Sequence, residues 1–222
     1  LFNVLTGYSR PPEYHKFVVA PHGMRSFFVR MIRQEAANAA QSLPCGITAK
    51  VNSLVDPEII AELYQASQAG VPVRLIVRGI CCLVPGLPGT SENISVHSIV
   101  GQFLEHSRIF RFENAGTPKI YMGSADWMPR NLDRRVELVF PVEDPLVKER
   151  AFSILDLMWN DNMNTRVMLP STSYEHIDRR GKLPVNCQVE FGRLAAKAVK
   201  ALEEDDENKP FKPIRSSDLI HS

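Results

Sequence analysis

Nowhere do the 222 residues contain the run of about 18 apolar residues that a membrane span requires, so none is expected. Neither sign of charge is in excess. Lys and Arg number 26 and Asp and Glu 25, for a net charge of +1. No global field therefore recruits nucleic acid or an anionic membrane, and an anion site must be built from a few placed residues. Cysteine is sparse. Cys45, Cys81, Cys82 and Cys187 form no C-x-x-C and no Cys/His ligand spacing, so neither a zinc site nor a disulfide framework is expected. Four free thiols fit a reducing cytosol. The vicinal Cys81-Cys82 pair reads as packing beneath a loop. No internal repeat is evident. The start has no initiator Met, no basic n-region and no cleavage site, so it is not a secretory signal, and Leu1 reads as a cut or processed end.

What is present is an ordinary globular mix, 44% hydrophobic and 23% charged. It fits one large domain or two small ones. Residues 1–13 read as a connecting segment, 14–180 as the main α/β module, and 181–222 as a C-terminal helix with a mobile tail that takes in the acidic run from Glu203. Phe17 to Ala20 is a short strand candidate, and Met24 to Gln41 follows helical spacing with Arg30 and Arg33 on its solvated face. Ile47 to Asn52 alternates as a strand. Asp56-Pro57-Glu58 is a helix start, and Gly70 closes that helix before a strand at Val71 to Val77. This strand, helix, strand order is a βαβ unit with parallel strands. The loop from Arg78 to Ser91 leaves the carboxyl end of a parallel strand, where α/β sheets place ligands.

Downstream, Ile94 to Val100 is strand-like, and a turn or short helix over Gln102 to Glu105 leads to His106. Arg108 to Phe112 and Ile120 to Gly123 form a hairpin, and Arg135 to Val142 is another strand. Asp144-Pro145 opens a helix to about Trp159, with Leu146, Ala151, Ile154 and Leu157 inward. Val189 to Leu202 reads as a closing helix.

One stretch carries chemistry. His106-x-Arg108 on a strand puts a proton carrier and a cation on one face. Arg108 is either a phosphate ligand or an ion-pair partner, with Glu137 the candidate acid. Gly123-Ser124 adds a tight backbone and a hydroxyl, followed by Asp126, Trp127 and Asn131. Trp127 is expected near His106, shaping the pocket. Lys50 and Asn52 lie on an inner strand and either contact a ligand or serve a buried ion pair or hydrogen bond. Lys119, Arg130 and Arg134 read as surface charge or as an extension of an anion path.

His106-x-Arg108 with Gly123-Ser124-x-Asp126 resembles the phospholipase D superfamily pattern H-x-K followed by G-S-x-N. Arg108 replaces its Lys and Asp126 its Asn. Longer segments are similar to the larger ATP-dependent polyphosphate kinase family, in its second catalytic module. They are Leu43 to Asp56, Leu75 to Cys81, Phe103 to Ile109 and Ser124 to Met128. The resemblance implies an α/β phospholipase D-like mixed sheet flanked by helices. It implies reversible transfer of the ATP terminal phosphate to inorganic polyphosphate through a phosphohistidine in a preceding module. It also implies that His106 assists catalysis and contacts phosphate, that Arg78 touches a nucleotide phosphate and that Arg135 lines the polyphosphate path. Arg108, Ser124, Asp126, Lys50 and Asn52 are possible supports. Mg²⁺ is implied, with its ligands in the preceding module and no metal ligand in this chain. ATP or ADP, polyphosphate and the remaining modules of the same polypeptide are the implied partners, without nucleic acid. A homo-oligomer in the cytoplasm is expected of the full-length enzyme; peripheral association with the inner membrane face is the family's alternative and has no anchor in this segment. The rival readings are a dimeric phosphodiesterase or nuclease and a non-catalytic polyanion-binding module.

Overall fold

A computed structural model describes Tyr14 and residues 16–207; the expected connecting segment 1–13 and the tail beyond Glu207 lie outside the described residues. Two compact units divide between Asn186 and Cys187. The first holds one nine-stranded mixed sheet. Its strands are β1 (Val18–Ala20), β2 (Ile47–Val51), β3 (Val73–Val77), β4 (Ile94–Ile99), β5 (Ile109–Phe112), β6 (Lys119–Gly123), β7 (Glu137–Pro141), β8 (Thr165–Met168) and β9 (Tyr174–His176). The spatial order is β1-β7-β6-β5-β2-β3-β4-β8-β9. The centre, β2-β3-β4, is parallel, and every other pairing is antiparallel.

Among the described residues this unit has three α-helices, α1 (Met24–Ala40), α2 (Pro57–Gln68) and α3 (Pro145–Trp159). Asp56 caps α2 by accepting from the Ile59 amide at 3.1 Å, with Pro57 in the first turn. Asp144 does the same for α3, accepting from the Leu146 and Val147 amides at 3.0 Å each. The period of two along the hairpin sorts its side chains to two faces. Phe110 and Phe112 join the main core with Phe28 of α1. Ile109 and Ile120 form a separate cluster with Ala151 and Leu155 of α3.

Among the described residues the second unit consists of one helix, α4 (Cys187–Glu207). It is longer than the expected Val189 to Leu202 and includes the acidic run assigned to the tail. Several expectations need correction. The inward stripe of α3 is Ala151, Leu155 and Met158, with the expected Ile154 partly buried against the same cluster, whereas Leu146 is 83% exposed. Leu146 belongs to the capped first turn, which extends beyond the sheet contact. Residues 102–105 form an open loop without a helix. Arg33 is exposed but paired with Glu62 at 2.5 Å. Strands β8 and β9 were not expected, because both are short and carry no clear alternation; β9 forms the sheet edge.

Candidate active site

The carboxyl ends of β2 and β3, the segment entering β5 and the segments flanking β6 and β7 meet at one end of the sheet. Antiparallel pairing of β5 with β2 sets Lys50 opposite Ile109, so His106 arrives beside the end of β2. Pairing of β6 with β7 sets Gly123 opposite Val139, which brings Ser124 and Glu137 to the same end. A Cβ on Gly123 would lie 2.3 Å from the Leu138 carbonyl oxygen. That glycine is therefore required by strand approach. Beneath the site, Phe28, Phe110 and Trp127 stack in a triangle with centroid separations of 4.6 to 5.5 Å. Such ring pairs contribute about 0.5–1.5 kcal/mol each beyond their buried area. Trp127 is fully buried in this triangle. It does not line a pocket with His106 as expected, because a large ring next to the α1 core gains more from burial.

The two departures from the phospholipase D pattern meet each other. Arg108 donates from Nε to Asp126 Oδ1 at 3.2 Å and from Nη2 to Oδ2 at 3.0 Å. Asp126 also accepts the Asn52 amide at 2.7 Å and the Ser53 amide at 3.3 Å, fixing the turn after β2. Glu137 is not the partner of Arg108. It accepts from Ser124 Oγ and, at 2.6 Å, from Asn131 Nδ2. Ser124 is thereby tied to β7, where its Oγ also accepts the Leu138 amide at 3.1 Å.

Arg108 holds His106 as well. Its Nη1 donates to the His106 carbonyl at 3.0 Å, and its Nη2 lies 2.9 Å from His106 Nε2. A guanidinium only donates, so Nε2 accepts and the neutral ring carries its proton on Nδ1. Desolvation, followed by the charge of Arg108, pulls the His106 pKa below its ordinary value. The positive charge of Arg78 is felt at the same ring.

Arg78 stands at the end of β3. Its Nη2 donates to Asn52 Oδ1 at 2.5 Å, and its Nε is buried without a hydrogen-bond partner. Gly79 approaches β2 so closely that a Cβ would lie 2.9 Å from the Asn52 oxygen. That contact keeps Arg78 beside Asn52. Of the alternatives for Lys50, the buried ion pair is the one present. Lys50 pairs with Glu105 and donates to the Glu105 and Ser107 carbonyls at 3.4 and 2.8 Å. Burial alone would raise the Glu105 carboxyl, but hydrogen bonds from Lys50 and Ser107 hold it below its ordinary value.

The structure thus gathers His106, Arg78, Arg108, Ser124, Asp126, Lys50 and Asn52. Arg135 lies apart from their bonding network. It is exposed at the end of a π turn over Arg130–Arg134, and its amide donates to the Arg130 carbonyl. Glu105 had no role in the sequence reading. The alternation of Ile47 to Asn52 puts Lys50 at a polar position like Thr48, so its burial, and with it the need for a counter-ion, shows only in the fold. Cys81 is half-buried and Cys82 exposed at the start of the loop after Arg78.

Among the described residues no group of three His, Cys, Asp or Glu side chains could hold a metal ion. The acids of the site are engaged with Arg108, Lys50, Ser124 and Asn131. They do not fit Mg²⁺ as a ligand set. No helix among the described residues is long and apolar enough to cross a membrane.

Comparison with known proteins agrees with this architecture. The chain is 50% identical over 201 residues to a polyphosphate kinase of Lactiplantibacillus plantarum, covering 90% of this chain and 28% of that protein. It is 49% identical over 191 residues to polyphosphate kinase 1 of Chlorobaculum tepidum, covering 86% and 27%. It superposes on the crystal structure of polyphosphate kinase from Porphyromonas gingivalis with a TM-score of 0.86 at 36% identity, covering 90% and 31%. Nuc, a phospholipase D family member from Salmonella typhimurium, shares the fold with a TM-score of 0.50 at 16% identity, covering 69% and 97%. The chain spans less than a third of the length of the polyphosphate kinases it matches. A family model for the polyphosphate kinase C-terminal domain 2 matches residues 17–188, and the chain belongs to that family.

Proposed function

We propose that this chain supplies one half of the phosphoryl-transfer site of a polyphosphate kinase. Arg78 and His106 bind phosphate oxygens of ATP, ADP or the polyphosphate end. The phosphohistidine nucleophile and the Mg²⁺ ligands belong to the remaining modules of the same polypeptide. His106 offers an Nδ1–H to a phosphoryl oxygen, where it can stabilise negative charge or deliver a proton. Phosphoryl transfer depends chiefly on positioning and on stabilising negative charge, which a few placed cations on a near-neutral chain can provide. Arg135, exposed at the same end of the sheet, would lie along the polymer path. The whole enzyme would act as a homo-oligomer in the cytoplasm.

The observation that carries this reading is Arg78. One of its buried N–H groups has no acceptor. A buried unsatisfied donor costs about 1–3 kcal/mol, and an arriving phosphate oxygen would remove that cost. The dimeric phosphodiesterase reading is disfavoured by Arg108, whose guanidinium is engaged by Asp126 and His106.

Equilibrium binding of tripolyphosphate and long-chain polyphosphate to this chain, with single-stranded DNA as competitor, tests the proposal. Both ligands should bind, with an affinity that falls as salt rises, and DNA at matched phosphate should not displace them. Arg78→Ala should weaken binding about tenfold, as expected for one charge-assisted contact. Equal competition by DNA would favour a general phosphodiester binder. Unchanged affinity in Arg78→Ala would remove that residue from the site. The chain alone should make no polyphosphate from MgATP, because the second histidine is not its own. Robust synthesis by the chain alone would overturn that division of labour.

A further inference from the structure

Lys50 is buried to 3% side-chain exposure on β2, between Ala49 and Val51 of the main core. An ammonium group there is costly to desolvate, and a well-packed apolar side chain would stabilise β2 at least as well. Its bonds show where that cost is directed. They go to the Glu105 carboxylate, the Glu105 carbonyl and the Ser107 carbonyl. Glu105 in turn accepts the Ser107 amide at 2.8 Å and the Ser107 hydroxyl. The residues on both sides of His106 are thus closed into a ring on one buried lysine, while His106 projects from it. The preceding loop is exposed at Val100 (67%) and Leu104 (73%), so core burial does not fix this segment. Beyond it, Arg108 meets the His106 ring.

We propose that Lys50 and Glu105 are positioning residues for His106. They clamp the backbone of Glu105-His106-Ser107 at one height above β2. At that height Arg108 reaches Nε2, and the imidazole is held as the Nδ1–H tautomer. Neither side chain touches substrate. The inference rests on the reading of His106 as a phosphate-contacting residue. It adds how a histidine on an exposed segment is given one orientation.

The test reads the ring directly. Nitrogen-15 NMR of His106 in this chain, above the titration range of the ring, should show one Nδ1–H tautomer. Lys50→Met should give a mixture of tautomers. In the full-length polypeptide the same change should lower kcat about 10²-fold, the loss expected when a reacting group is misplaced by about 1 Å. The nucleotide KM should change far less. Glu105→Gln keeps an acceptor for Lys50 and Ser107 and should retain both the tautomer and most of kcat. A lysine that merely stabilised the fold would lower Tm in Lys50→Met without moving the tautomer or kcat, and that result overturns the proposal. Should Lys50→Met fail to fold, Glu105→Ala at its half-buried position carries the same readout. A single retained tautomer there also overturns it. The tautomer needs no substrate, so the two readings fail separately. Tautomer mixing in a chain that binds no tripolyphosphate removes the assigned function and leaves the clamp. Intact binding with an unmoved tautomer removes the clamp alone.

Discussion

Replacing Asp126 with Ala is expected to lower folding stability by about 3–5 kcal/mol, the usual cost of removing one member of a buried ion pair. Arg108 and Asp126 are 14% and 6% exposed at the side chain, so solvent screens little of their interaction. The loss is compounded because Asp126 Oδ1 also accepts the amides of Asn52 and Ser53. Without it the turn after β2 has two amide donors to satisfy and Arg108 has a buried charge to satisfy. Asp126→Asn keeps an oxygen for the amides and should cost less. The double change Arg108→Leu with Asp126→Leu should also cost less than Asp126→Ala, since no charge is then left uncompensated. Urea denaturation of the three variants checks the order. If Asp126→Ala proved no worse than the double variant, the pair would hold no net charge balance. The effect reaches His106 as well. Arg108 freed from Asp126 no longer presents Nη2 to the ring in a fixed orientation.

This pairing marks the limit of what the chain's one-dimensional pattern reveals. His106, Arg108, Ser124 and Asp126 were legible as a cluster because the hairpin returns the second motif to the first; the strand expected under His106 and Arg108 is absent, since β5 begins at Ile109 and both residues lie on the segment entering it. The partner of Arg108 was not legible. Asp126 and Glu137 are both acids at the same sheet end, and only the turn geometry decides between them. The Asn52 and Ser53 amides point at Asp126. Glu137 instead meets the Ser124 hydroxyl and Asn131. The βαβ unit was read closely, since Asp56-Pro57 and Gly70 bracket α2 through local chemistry. The inner face of α3 was misjudged at Leu146 for the opposite reason. Which turns of a helix meet the sheet depends on where the sheet ends, and no local signal records that. Lys50 shows the same division. Its alternation with Ala49 and Val51 places it on the opposite face of β2, but its counter-ion comes from a loop 55 residues away.

Acidification should destabilise the chain through His97. This residue lies on β4, 9% exposed, with its ring stacked on Trp159 of α3 at 3.8 Å and an interplanar angle of 5°. Its Nδ1 is buried without a partner. Arg74 sits over the other aromatic ring of the stack, 5.3 Å from the Trp159 centroid. Burial first, and the charge of Arg74 second, push the His97 pKa down from 6.5 to about 4. The folded state therefore favours the neutral ring. Above pH 6.5 the ring is neutral in both folded and unfolded chains, and the full stability is present. As the pH falls from 6.5 toward 4, the unfolded chain takes up a proton that the folded chain does not, and stability is lost. The loss approaches about 3 kcal/mol and stops once the folded ring is also protonated. His97→Phe keeps an aromatic ring against Trp159 and removes the titration. Subtracting its pH–stability profile from that of the native chain should leave a single slope between those two pH values. The stack also gives a local optical probe, because a protonated imidazole quenches an adjacent indole and Trp159 lies directly on it. Identical profiles for the native chain and His97→Phe would show that the ring escapes the stack before it titrates. Movement of the stack without loss of the sheet would place the acid-sensitive step at the packing of α3 on β4.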